Sequence, residues 1–133
     1  MNEHEIKQLI AETAAKTATA TVLKLQAAGI LQNKQKSAYD KTEALLHQYT
    51  DLCKVEQPYA EKVVAEIDSC MADISNEPYA AVIRLYYFEK RTNAACALEL
   101  RCDERTCRRQ RKALVEKMAA RLASEEFIRE LLL

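Results

Sequence analysis

Apolar residues recur at intervals of three and four along almost the whole chain, the spacing of one face of an α-helix. In residues 2–28 the stripe is thin: Ile6, Leu9, Ile10, Thr13, Thr17 and Leu25. Threonine is a poor helix former, so this helix needs a partner surface to stay ordered. Gly29 is placed to end it, and residues 29–36, GILQNKQK, read as a linker. Ser37 opens a second helix, with Tyr39, Thr42, Leu45, Leu46, Tyr49, Leu52 and Cys53 along one side. Pro58 interrupts, and Val63, Ile67, Cys70, Met71 and Ile74 step along a third. Two helices split by a short break predict an antiparallel hairpin. Its stripes last only about two to three heptads each, short for an independent coiled coil. They fit a packed pair that also supports self-association.

Ser75-Asn76-Glu77-Pro78 reads as a helix start with Pro at the first helical position. Tyr79, Val82, Ile83 and Tyr86 form the inward stripe of that helix, flanked by Tyr87 and Phe88. These aromatics suit core packing better than a base-stacking platform, because their spacing is helical. Thr92 is an N-cap candidate, followed by Cys96, Ala97 and Leu100 on one face. Arg101-Cys102 forms a turn, Asp103 caps the next helix, and Glu104 in its first turn opposes the helix dipole. Cys102 and Cys107 have the spacing of a hydrophobic staple. Cys107, Leu114, Met118 and Leu122 point inward. Ser124 caps a last short helix at 127–133, whose three terminal leucines either fold back or meet another chain.

With one Gly, two Pro and no β-branched alternation, the chain is expected to be all-α. N-terminal helices precede a C-terminal helix-turn-helix domain. The expected segments are 1–36 (helix and linker), 37–75 (hairpin, an oligomerisation candidate) and 76–133 (helix-turn-helix).

Composition supports a folded protein: 133 residues, 49% hydrophobic and 30% charged. The net charge is zero but unevenly placed. Residues 1–75 hold eight Lys/Arg and eleven Asp/Glu; residues 76–133 hold twelve and nine. No apolar run approaches the roughly 20 residues that span a bilayer, and MNEHEIKQLI is acidic, without the apolar core of a signal peptide. A cytoplasmic location with no membrane partner is expected. Five cysteines, odd in number and irregular in spacing, agree with a reducing compartment, where they act as small hydrophobes at apolar helix positions.

At 100° per residue, Arg105, Arg109 and Lys112 fall opposite the apolar stripe of the second helix, with Arg108 on its flank. A helix pair that buries small side chains and turns a basic N-terminal end outward has the helix-turn-helix plan. The candidate DNA contacts are Arg105, Thr106, Arg108 and Arg109 in the first two turns, with Lys112 and Lys117 further along against backbone phosphate. Arginine bonds bidentately to guanine O6 and N7, and both cations pair with phosphate.

The stretch YAAVIRLYYFEKRTNAACALELRCDERTCRRQRKALVEKMAARL resembles the C-terminal helix-turn-helix of ArpU/RinA-type phage transcriptional regulators, themselves similar to the promoter-reading fourth region of bacterial sigma factors. TNAACALEL, Asp103-x-x-Thr106-Cys107 and RRQRKALVEKM carry the resemblance, which covers roughly the last 55 residues. It implies a leading helix that braces the motif, a prophage setting and contact with RNA polymerase. The sequence departs from the family at Arg101, where the turn often has Gly. It departs again at Gln110 and Arg111, where an apolar residue is usual; both are expected to bury aliphatic stems and send polar ends outward.

Other chemistry has less behind it. Cys96, Cys102 and Cys107 are spaced C-x5-C-x4-C, unlike a zinc site, and are expected to be mutual neighbours in a small core. His4 and His47 lie far away in sequence. There is no Gly-rich phosphate loop, no nucleophile elbow and no recognisable Cys–His pair. The expectation is therefore a DNA-binding transcriptional regulator, not an enzyme, with no cofactor, no metal, double-stranded DNA as partner, and a homo-oligomeric state. The rivals are a helical module docking on an acidic protein surface and a small terminase-type DNA-packaging subunit. A complete sigma factor is disfavoured, since the first 75 residues carry no clear promoter-melting region.

Overall fold

The computed structural model describes residues 2–132, without the side chains of residues 16–21, 23, 27 and 132. The expected stripe member Thr17 and the terminal Leu132 and Leu133 side chains thus lie outside the described residues. The described chain is helical, without a strand: α1 (Glu3–Gln32), α2 (Ala38–Leu52), α3 (Pro58–Asp73), α4 (Ala81–Ile83, running on into a π-helical stretch, Arg84–Phe88), α5 (Asn93–Leu100), α6 (Glu104–Leu122) and α7 (Glu125–Leu132). No described helix is long and apolar enough to cross a membrane.

Local chemistry sets most boundaries. Asn2 and Glu5 form a reciprocal capping box on α1, the Glu5 N–H bonding Asn2 Oδ1 at 2.8 Å. Ser37 accepts the Asp40 N–H at 3.1 Å, Thr92 the Ala95 N–H at 3.1 Å, and Ser124 the Phe127 N–H at 3.1 Å. Pro58 stands at the first position of α3.

Gly29 does not stop α1, which runs on to Gln32. Leu31 explains the extension: it is 2% exposed in the core. Burying a leucine gives about 1.5–3 kcal/mol, more than the roughly 0.5–1 kcal/mol that a mid-helix glycine costs.

The predicted start at Pro78 also moves. Residues 78–80 are turn, and helical structure begins at Ala81. Ser75 instead closes the end of α3, its hydroxyl donating to the Ala72 carbonyl at 2.8 Å. The π-helical turn, closed by Glu89 N–H to Arg84 carbonyl at 2.9 Å, changes the phase of the expected stripe. Leu85 and Tyr87 become fully buried, while Tyr86 is only half-buried. Tyr87 is satisfied there because its hydroxyl donates to Glu43 Oε2 at 2.8 Å, an oxygen that also accepts from Tyr39 at 3.1 Å.

One core joins these elements. Leu45, Leu46 and Leu52 of α2, Val63, Ile67 and Cys70 of α3, Val82, Ile83, Leu85 and Tyr87 of α4, and Cys96 of α5 meet Cys107, Leu114, Val115, Met118 and Leu122 of α6. Helix α6 runs through the middle, against α2, α3, α4, α5 and α7. The segments expected at 37–75 and 76–133 therefore share an interior, and the hairpin's apolar residues face that interior. Phe127 anchors α7, with Ile128 and Leu131 packed on the same core. Cys53 is a correction: it caps the end of α2 and is exposed, unlike an apolar-face cysteine.

Candidate nucleic-acid interface

Helices α5 and α6 meet through three residues, Arg101 to Asp103. Arg101 takes the left-handed conformation, φ 55° and ψ 45°. That geometry favours Gly, and it lets the Cys102 N–H reach back to the Ala97 carbonyl at 3.0 Å, closing the end of α5. Asp103 then starts α6, its Oδ1 accepting the Thr106 N–H at 2.6 Å. That N–H first, and the Thr106 hydroxyl next, hold the Asp103 carboxyl below its ordinary range; Arg109 and Arg105 lower it further.

Beneath the turn, Cys96 and Cys107 are buried and Cys102 is half-buried. The three thiols are close enough to act on one another, as their positions in sequence imply. Burial pushes the Cys96 and Cys107 thiols up, so they stay protonated and pack as small apolar groups.

The outer side of α6 presents Arg105, Arg108, Arg109 and Lys112, all exposed. Arg105, Arg109 and Lys112 form a row at four- and three-residue steps, about 10 Å long at 1.5 Å per residue. Among the described residues, no ion pair or side-chain hydrogen bond engages any of these four. Thr106 is half-buried, its hydroxyl turned to the Asp103 cap. Lys117 is exposed but pairs with Glu77 in the turn before α4. The structure thus groups Arg105, Arg108, Arg109 and Lys112, and sets Lys117 apart on another partner.

Arg111 differs from its expected placement. Its polar end stays inside: the guanidinium lies 3.7 Å from the centroid of the Tyr86 ring, and Nη1 donates to Asn93 Oδ1 at 3.0 Å. At 100° per residue Arg111 sits on the Cys107 side of α6. Asn93 also donates to the Glu104 carbonyl at 3.3 Å. This bracket holds the start of α5, the start of α6 and Tyr86 together. Residue spacing gives no signal for Asn93, because its partners are 11 and 18 residues away.

No family model, curated protein or solved structure matches the chain.

Proposed function

We propose that this protein is a sequence-specific DNA-binding transcriptional regulator whose α5–turn–α6 unit acts as a helix-turn-helix, with the first half of α6 as the recognition helix. The carrying observation is the row of exposed cations, Arg105, Arg108, Arg109 and Lys112, that make no ion pair or side-chain hydrogen bond among the described residues. Unpaired arginines on a rigid, core-anchored helix bind phosphate and base edges without first breaking other contacts. A helix about 10–12 Å across with its side chains fits a major groove about 12 Å wide. The resemblance of residues 79–122 to ArpU/RinA-type regulators supports the same reading and a prophage setting, with RNA polymerase as a further partner.

The test is fluorescence anisotropy with labelled random duplexes at graded salt, followed by selection of bound sequences. Four cations on the duplex give a log–log salt slope between about −2 and −4, and selection yields one sharp motif. Failure to bind duplex at low salt, with binding to an acidic protein surface instead, overturns the proposal.

A further inference from the structure

Helix α1 is about 45 Å long at 1.5 Å per residue, and among its described residues the contacts with the rest of the chain come from its last turns. Leu31 enters the core, the Lys24 ammonium lies 5.9 Å from the Tyr59 ring centroid, and Gln48 donates to Gln26 at 3.4 Å. From Asn2 to Ala15 every residue is exposed. That segment is nevertheless coded as helix, by its capping box and the Glu3–Lys7 pair at 3.4 Å. An isolated helix rich in Thr is marginal in water, so a helix built this way calls for a cover.

The uncovered side is apolar. Ile6, Ile10, Leu25 four turns on, and Leu9 fall within an arc about 160° wide at 100° per residue. They are 45%, 64%, 67% and 51% exposed, respectively. Thr13, near the middle of the stripe, turns its hydroxyl back to the Leu9 carbonyl at 2.8 Å. The chain's own hairpin does not supply the cover, since its apolar residues are in the core.

Charge identifies the occupant. Within α1, residues 3–14 carry Glu3, Glu5 and Glu12 against Lys7, whereas residues 15–32 carry Lys16 and Lys24 and no acidic residue. We infer that α1 is a homodimerisation helix, covered by α1 of a second copy running antiparallel to it. In that arrangement Ile6 and Ile10 of one copy come level with Leu25 of the other. The acidic half of each helix lies beside the lysine half of its partner, and the two helix dipoles oppose. A parallel pair would set like charge against like. The inference is independent of the DNA-binding proposal.

Sedimentation equilibrium of the full chain from about 1 to 100 μM tests it. Wild type associates to a dimer, and the dimer weakens as salt screens the paired halves. Ile6→Glu with Ile10→Glu shifts the dissociation constant upward at least about tenfold, while the unfolding midpoint of the α2–α7 core stays in place. Glu12→Lys, which keeps the Asn2–Glu5 capping box and the Glu3–Lys7 pair, weakens the dimer if the pair is antiparallel; in a parallel pair this exchange replaces one like-charge contact with another. A wild-type monomer at 100 μM, a dimer indifferent to the isoleucine exchanges, or one indifferent to the charge reversal overturns the inference. Hetero-association with another protein by a monomeric chain does so too.

Discussion

The two halves of α6 use their cations oppositely: residues 104–113 hold Arg105, Arg108, Arg109, Arg111 and Lys112 against Glu104, and residues 114–122 hold Lys117 and Arg121 against Glu116. At the C-terminal half, Arg121 donates through Nε to Glu66 at 2.9 Å and through Nη2 to Ser69 at 2.8 Å, and it also pairs with Asp73. Lys117 pairs with Glu77. These cations tie α6 to α3 and to the turn before α4. At the N-terminal half, Arg105, Arg108, Arg109 and Lys112 have no such partner among the described residues. A cation held in an ion pair by a carboxylate of its own chain is largely neutralised as a ligand for phosphate; a cation outside such a pair is available. Counting basic residues along the helix conceals this division, which follows from what lies opposite each one.

The sharpest way to break the comparison is at Arg109, opposite Cys107, Leu114 and Met118. On the proposed reading, Arg109→Ala costs about 1–3 kcal/mol on the best duplex and relaxes preference at one base position. Its unfolding midpoint matches wild type. Lys112→Ala instead weakens all duplexes alike and lowers the salt slope by about one unit. Titrations of matched and mismatched duplexes at two salt concentrations separate the two variants.

Arg121→Ala is the mirror experiment. It leaves Glu66 and Asp73 without their cation, so the thermal midpoint drops by a few degrees while duplex affinity of the folded protein is unchanged. Calorimetry beside anisotropy reads both; a loss of affinity at constant stability would place Arg121 with the free cations instead.

The turn between α5 and α6 offers a smaller effect of opposite sign. Arg101→Gly relieves a left-handed arginine and stabilises the fold by up to about 1 kcal/mol in denaturant titration. If Arg101 also touches phosphate, the salt slope falls by about one unit despite the added stability.

The smallest effect concerns pH. Burial first, and Lys90 next, lower the His47 pKa from its ordinary 6.5. Its ring stands edge-on to Tyr87 at 4.8 Å, with Tyr86 at 6.0 Å and Glu43 and Arg111 also acting on it. A depressed folded pKa gives stability that is full above 6.5 and is lost as pH falls toward the folded value. Chemical denaturation at pH 7.5 and 5.5 should show this decline, and His47→Gln should flatten it.

The sequence by itself determined the all-helical class and the faces of most helices. Three- and four-residue spacing located each helical segment, and Ser37, Thr92, Asp103 and Ser124 marked starts because their side chains cap the very next turn. The outward phase of Arg105, Arg108, Arg109 and Lys112 was equally legible, since it depends only on the helical period and on which residues are apolar. Tertiary structure decided what required a partner distant in the chain. Leu31 carried α1 past Gly29 because a core pocket rewarded its burial. The π-helical turn exchanged Tyr86 for Tyr87 in the interior, where the Glu43 carboxylate, 44 residues away, accepts the hydroxyl. Arg111 stayed inside because Tyr86 and Asn93 meet it there. Lys117 and Arg121 became anchors because α3 and its following turn bring carboxylates to them. Periodicity is a local property of the backbone, whereas satisfaction of a buried or charged group depends on which distant residues the fold brings beside it.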